Sequence, residues 1–296
     1  MSDFLVHVVS IAFIYGILAL SLNLQAGYMG LMNFGLVAIF GCGVYGAGLV
    51  HYFGLPVFLG LPLALVLAVA MALFFARLGR RLSSDYWGIA TLSVAEIIRI
   101  FATNLEGLTG GAQGISGLPL LFAGLRPWDG VARLFLFGSV LILAWWLCER
   151  LVRSNFGLGM KLIREEPQLA RSLGYDIDHI RSVVLVVSAL LAAVAGVLYA
   201  HYLSFVGPEL LVAPETFLIW SMVIVGGIAN NRGVVLGAIV MQFMMAYVPF
   251  VKDYFELPSD FVAAARLVLT GSVILAFLLL RPQGIFPERI GDRHEH

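Results

Sequence analysis

The feature that most constrains this chain is the recurrence of apolar runs about twenty residues long, the length a helix needs to cross a bilayer's hydrocarbon core. Such runs occupy residues 4–24, 31–50, 55–76, 86–104, 131–149, 182–203, 215–230, 234–251 and 261–280. Within lipid a segment must satisfy its own backbone polar groups, so each run is expected to fold as a helix. The pattern therefore predicts an all-α, polytopic membrane helix bundle of about nine spans, with a range of about eight to ten. Residues 1–296 read as a single transmembrane domain.

Composition agrees. The chain is 60% hydrophobic and 12% charged, against about 25% charged in soluble domains. Net charge is zero, which points to no nucleic-acid partner. Cys42 and Cys148 sit inside apolar runs and read as small packing residues; the six histidines have no metal-ligand spacing. No metal site is expected. The opening "MSDFLVHVV" carries an acid and no Lys or Arg, so it reads as the start of a retained first span rather than a cleaved signal.

Basic residues set the expected orientation. With the C-terminus inside, Arg77, Arg80, Arg81, Arg150, Arg153, Lys161, Arg164, Arg171, Arg181, Arg232, Arg281, Arg289 and Arg293 are cytoplasmic, thirteen of the eighteen Lys and Arg. Arg126, Arg133, Lys252 and Arg266 fall at or near the outer surface, and Arg99 is intramembrane. The expectation is N-terminus out and C-terminus in.

Pairs of small residues four apart, Cys42/Gly46 and Gly43/Ala47, and the stretch "GVVLG" at 233–237 predict close helix packing. Two segments interrupt apolar runs with Gly and Asn: "NLQAGYMGLMNFG" at 23–35 and "VGGIANNRG" at 225–233. They read either as tight turns or as breaks along a translocation path. On the second reading Asn23, Gln25, Asn33, Gly226 and Gly227 are candidate pathway residues, joined by Thr91, Glu96 and Arg99 of the fourth run.

Glu96 and Arg99 stand three apart on one helical face. Two central charges cost about 5 to 7 kcal/mol before pairing, and the run's seven large apolar residues return about 2 to 4. The pair is therefore expected to be enclosed by helices or to line a cavity. Structural bridge and pathway role are both open.

The longest expected cytoplasmic segment lies within about 150–181 and contains "KLIREEPQLARSLGY" at 161–175. Pro167 suits a first helical turn. Glu165 and Glu166 place negative charge at that helix's positive end, and Gly174 can terminate it. The predicted helix runs from Pro167 to Leu173, framed by Arg164 and Arg171, with Leu169, Ala170 and Leu173 on one apolar face. So short a helix is not stable alone. It must rest on the bundle, on lipid, or in another protein's groove.

"QLARSLG" at 168–174 resembles the E-A-A-x-x-x-G loop of bacterial ABC-importer permeases, departing from it at Gln168 and Leu169. "ALSLNLQAGYMGLMNFG" at 19–35, "DYWGIATLSVAEIIRI" at 85–100, "GLTGGAQGISGLP" at 107–119, "LSFVGPE" at 203–209, "MVIVGGIANNRGVVLGA" at 222–238 and "LLLRPQGIF" at 278–286 together are similar to the branched-chain amino acid (LivM-type) permease family. The resemblance implies a non-enzymatic permease subunit of the bacterial inner membrane, paired with a second, LivH-like permease. Two ABC ATPase subunits would carry ATP and magnesium, and a periplasmic or lipid-anchored solute-binding protein would deliver cargo. This chain itself would bind no cofactor. Glu166, Pro167, Leu169, Ala170, Arg171, Leu173 and Gly174 would form the ATPase-coupling helix. Leu36 and Val37 stand where family members often have Gly-His, and the family also includes urea and short-amide permeases.

Two other classes compete. An intramembrane serine protease would use Gly114-Ile115-Ser116-Gly117 with His201 as base, but Pro119 falls where that class needs an inward helix. A secondary transporter would want an isolated deep carboxylate, whereas Glu96 has Arg99 beside it.

Overall fold

Among the described residues each of the nine apolar runs holds one α-helix, and the polar stretches between them add three more. The computed structural model describes residues 2–80, 82–122, 124, 128–254, 258 and 260–288; Arg81, Arg126, Arg289 and Arg293 lie outside them. In chain order the helices are α1 (Ser2–Asn23), α2 (Leu36–Tyr52), α3 (Gly60–Gly79), α4 (Ser84–Asn104), α5 (Glu106–Thr109) and α6 (Asp129–Val152). Then come α7 (Asn155–Glu165), α8 (Pro167–Ser172), α9 (Ile177–Leu203), α10 (Ala213–Gly226), α11 (Asn231–Tyr254) and α12 (Asp260–Leu280). Short 3-10 turns (Val57–Leu59, Gly111–Gln113 and Pro208–Leu211), a π-helical turn (Leu24–Tyr28) and two short antiparallel strands, β1 (Ile115–Ser116) and β2 (Phe205–Val206), lie between them.

The nine expected spans differ in length. Five helices (α1, α3, α6, α9 and α11) are long and apolar enough to cross a membrane, and a sixth forms if α4 is joined to the helical turns after it across an 88° bend. Three more are shorter: Leu36–Tyr52, Ala213–Gly226 and Ala264–Leu280. Two of these, α2 and α10, adjoin the Gly- and Asn-containing breaks; membrane-length helices among the described residues thus number five or six, against the about nine spans expected.

Burial separates centre from periphery. In the apolar window of α1, 67% of residues are buried, against 22% in α3 and in α6. Phe135, Leu279 and Leu280 are about four-fifths exposed, as expected of side chains that face lipid. Small residues bring the central helices together. A Cβ on Gly43 of α2 would lie 2.3 Å from the Ala193 carbonyl of α9, and one on Gly46 would lie 2.5 Å from Ala64 Cα of α3. In the "GVVLG" stretch, a Cβ on Gly237 would lie 2.2 Å from the Met222 carbonyl of α10. The small-residue stripes are thus packing surfaces. Cys42 and Cys148 are free thiols, partly and fully buried.

Helix ends gather alternately at two poles. At one, Arg80 meets Asp178 (3.9 Å), Lys161 meets Glu288 (3.3 Å), and the Ile285 amide donates to the Val225 carbonyl (2.9 Å). At the other, β1 pairs with β2, His7 Nδ1 and the Tyr202 hydroxyl lie 2.8 Å apart, and Phe4 packs edge-on against Phe250.

Candidate translocation and coupling site

The two interruptions, far apart in sequence, meet in space. Asn23 ends α1, and the chain continues as a single π-helical turn, Leu24–Tyr28. Its side-chain oxygen accepts the Ala229 amide (2.9 Å), and its amide nitrogen donates to Asn231 Oδ1 (3.0 Å), 208 residues away. Asn231 in turn donates to Glu149 Oε2 at 3.0 Å. The Asn23 amide thus bridges both breaks, and Glu149 extends the network to α6. Gly27 permits the approach: a Cβ there would lie 2.3 Å from Asn23 Oδ1 and 2.7 Å from the Ala229 amide nitrogen. Asn231 and Glu149 escape sequence reasoning because each looks like an ordinary polar residue at a span's end.

The remaining polar candidates form a second network. Asn33 donates to Gln25 Oε1 (2.8 Å) and accepts the Gly35 amide (2.7 Å), a local turn that starts α2. Its backbone carbonyl receives the Trp220 indole N–H at 3.1 Å. The Thr91 hydroxyl accepts the Phe34 amide (3.2 Å) and donates to the Gly88 carbonyl (2.8 Å), which ties α4 to the break. Asn23, Gln25, Asn33 and Thr91 are all fully buried, and Gln25 Nε2 has no hydrogen-bond partner among the described residues. These hydrogen bonds tie the first break to α4 and α10.

Gly226 and Gly227 receive the C-terminal segment. The Phe286 amide donates to the Gly226 carbonyl at 3.1 Å. Gly227 has φ +112°, and a Cβ there would lie 2.0 Å from the Phe286 carbonyl oxygen. Only glycine fits both the backbone angle and the contact.

Glu96 and Arg99 form a two-pronged ion pair, Nε to Oε2 at 2.9 Å and Nη2 to Oε1 at 2.5 Å. The expected enclosure is not supplied by this chain's own helices: the two side chains are 46% and 31% exposed. The reason lies in how α4 packs. Trp87, Ala95 and Ala102 face the bundle, while Ile89, Ile97, Ile100 and Phe101 face away with the ion pair.

The predicted short helix is present as α8, which starts with Pro167 and ends at Ser172, one residue earlier than expected. Leu173 is the cap because the chain turns there: the Gly174 amide donates to the Arg171 carbonyl (3.0 Å), and the Tyr175 amide donates to that of Ala170 (3.1 Å). This is a Schellman termination. Gly174 has φ +85° with open space around it, so conformation rather than room selects glycine. Ala170 is buried, whereas Leu169 and Leu173 are 49% and 63% exposed. Glu166 and Arg171 are exposed as well. The bundle therefore holds α8 by one face and leaves its two leucines uncovered.

Sequence reasoning missed α7. Gly157 and Gly159 weaken its helical signal, although Gly157, Met160 and Ile163 recur at three-residue intervals and are buried. From its last turn Arg164 donates to the Gly27 carbonyl of the first break and to Glu288 Oε2 (2.9 Å). Burial pulls the Arg164 guanidinium's pKa down, but the Glu288 and Glu165 carboxylates outweigh that and raise it above its ordinary value.

Ser116 lies exposed on β1, and His201 Nδ1–H donates to the Pro119 carbonyl at 3.0 Å. Nucleophile and base of the protease reading are not joined. Among the described residues no group of three His, Cys, Asp or Glu side chains converges as a metal site would require.

A family model described as branched-chain amino acid transport system / permease component matches residues 4–278. The chain belongs to this family. The high-affinity branched-chain amino acid transport system permease protein LivM of Escherichia coli (strain K12) is 31% identical, over 95% of this chain and 70% of that protein. A probable LivM of Methanocaldococcus jannaschii is 27% identical over 93% of this chain and 91% of its own length. Among solved structures, PsaBC from Streptococcus pneumoniae in complex with Fab has a chain similar to this one with TM-score 0.49 and 16% identity, covering 95% of this chain and 92% of its own. As a family member with several membrane-length apolar helices, the permease is an integral membrane protein.

Proposed function

We propose that this permease is the LivM-like subunit of an ATP-binding-cassette importer that carries branched-chain or other hydrophobic amino acids across the bacterial inner membrane. The observation that carries this reading is the coupling segment. It is a glycine-terminated helix with two uncovered leucines, connected through Arg164 to the break between α1 and α2. The chain 1–296 acts as one permease domain with nine crossings, N-terminus out and C-terminus in. Supporting this, consecutive connections gather at alternate poles, and α8 shares its pole with the basic residues Arg80, Lys161 and Arg164.

In this reading two ATPase subunits receive α8 and supply ATP and magnesium; the permease binds no cofactor. Closure of the ATPases displaces α8 and α7, and Arg164 passes the displacement to Gly27. The break then opens where Asn23 holds it to Ala229 and Asn231. A second, LivH-like permease covers the exposed Glu96–Arg99 face of α4, since lipid solvates such a pair poorly. A solute-binding protein delivers cargo at the opposite pole.

Leu36 and Val37, which depart from the family's Gly-His, are buried in α2; they read as packing residues, so the departure alone does not favour urea or amides as cargo. The test is uptake by the reconstituted four-subunit transporter with its binding protein. ATP-dependent accumulation of leucine, isoleucine or valine is expected. Accumulation of urea or acetamide instead would replace the cargo assignment.

A further inference from the structure

A cavity of about 530 Å³ opens between α1, α9, α10, α11 and α12, toward the pole opposite α8. It is within the size range of small-molecule sites, and none of the pathway residues expected from the sequence lines it. Its walls are of two kinds. Ile11, Leu218 and Met245 give an apolar side, while Glu215, Arg266 and Gln242 bring polar groups into the same space.

Those polar groups are not satisfied by one another. The Glu215 carboxylate accepts a hydrogen bond from the Tyr15 hydroxyl at 2.7 Å. Among the described residues neither Glu215 nor Arg266 takes part in an ion pair, although both line one cavity. Gln242 is only 8% exposed and lines the same cavity. Glu215 is half-buried and Arg266 is exposed at the cavity's rim, and ionisable groups that line a cavity of a membrane bundle mark a substrate path more often than a packing solution. What would satisfy all three is a ligand with a cation, an anion and an apolar body.

We infer that this cavity is a cargo vestibule that takes a zwitterionic amino acid with an aliphatic side chain. Glu215 receives the ammonium group, held in place by Tyr15. Arg266 receives the carboxylate, a pairing its planar fork suits. Gln242 hydrogen-bonds the same head group, and the side chain lies against Ile11, Leu218 and Met245. The inference rests on the proposed uptake function and locates cargo recognition within the permease itself.

The experiment uses the complete transporter in lipid nanodiscs, without nucleotide or binding protein. Binding is measured with radiolabelled L-leucine, competed by isoamylamine, which lacks the carboxylate, and by 4-methylpentanoate, which lacks the ammonium. Arg266→Gln should weaken leucine roughly ten- to hundredfold and leave isoamylamine unchanged. Glu215→Gln, which keeps an acceptor for Tyr15, should weaken leucine similarly and leave 4-methylpentanoate unchanged. Wild-type leucine affinity in both variants would overturn the inference, as would equal loss of all three compounds in either variant, the mark of a merely structural role. A co-purified phospholipid that leucine fails to displace would overturn it too. Leucine uptake that persists through those results would leave the importer reading intact; a wild-type transporter that accumulates no amino acid would remove both.

Discussion

The Arg164 guanidinium in the last turn of α7 donates to the backbone carbonyl of Gly27, 137 residues earlier in the chain. One side chain thereby joins the segment that carries α8 to the turn that interrupts the first apolar run. Arg164 also holds Glu288, which fixes the C-terminal segment to the same point.

Arg164→Gln removes charge-assisted hydrogen bonds worth about 1.5 to 3 kcal/mol each. Lys161 still reaches Glu288, so the tail should remain docked. The transporter should assemble, yet show at least about tenfold slower uptake per ATP hydrolysed. Simultaneous measurement of ATPase rate and leucine uptake checks this; an unchanged ratio would refute the Arg164 link.

Asn23→Ala strips partners from two groups, the Ala229 amide and the Asn231 side chain. Each buried polar group left unpaired costs about 1 to 3 kcal/mol. The variant should melt several degrees lower in detergent and admit labelling of a cysteine placed at Ala229. Gly27→Ala should do the same by collision rather than by loss of a bond. Protection of that cysteine in both variants would mean that the two breaks do not depend on each other.

Much of this region was legible in the sequence, and the reasons are specific. Asn23, Gln25 and Asn33 stand out because lipid-spanning runs do not carry amides without cause. Pro167 and Gly174 bound α8 by backbone chemistry alone, which placed its N-terminus correctly and its end within one residue. What could not be read is which groups meet. Asn23 pairs with residues more than two hundred positions away, and Glu215 and Arg266 share a cavity only because α10 and α12 lie side by side. The Glu96–Arg99 pair is instructive in another way. Its cost follows from sequence, but the way α4 turns, which leaves both side chains partly exposed, does not.

If a second permease covers that pair, Glu96→Gln and Arg99→Gln should each reduce recovery of the two-permease assembly, because breaking a buried ion pair costs about 3 to 5 kcal/mol. The double variant should recover assembly. Full recovery of the assembly with either single variant would indicate that the α4 face is not covered by the second permease.

Orientation is checked by thiol labelling after Cys42 and Cys148 are replaced. A cysteine at Arg171 should react with an impermeant reagent only from the cytoplasm, and one at Gln113 only from outside. Reaction of both from one side would contradict nine crossings.

If α8 transmits the ATPase cycle through its uncovered leucines, Leu169→Glu should break that transmission. The side chain is 49% exposed and lies on α8, outside the membrane-length helices, so the variant should fold and insert normally. A charge placed in a partner's apolar groove costs several kcal/mol, and about 1.4 kcal/mol is already tenfold in binding. Gly174→Asn, which tolerates the left-handed turn, serves as the matched control and should keep coupling. Leu169→Glu should lose both ATPase co-purification and cargo-stimulated ATP hydrolysis in proteoliposomes. A Leu169→Glu transporter that stays assembled and is stimulated at full strength would contradict it.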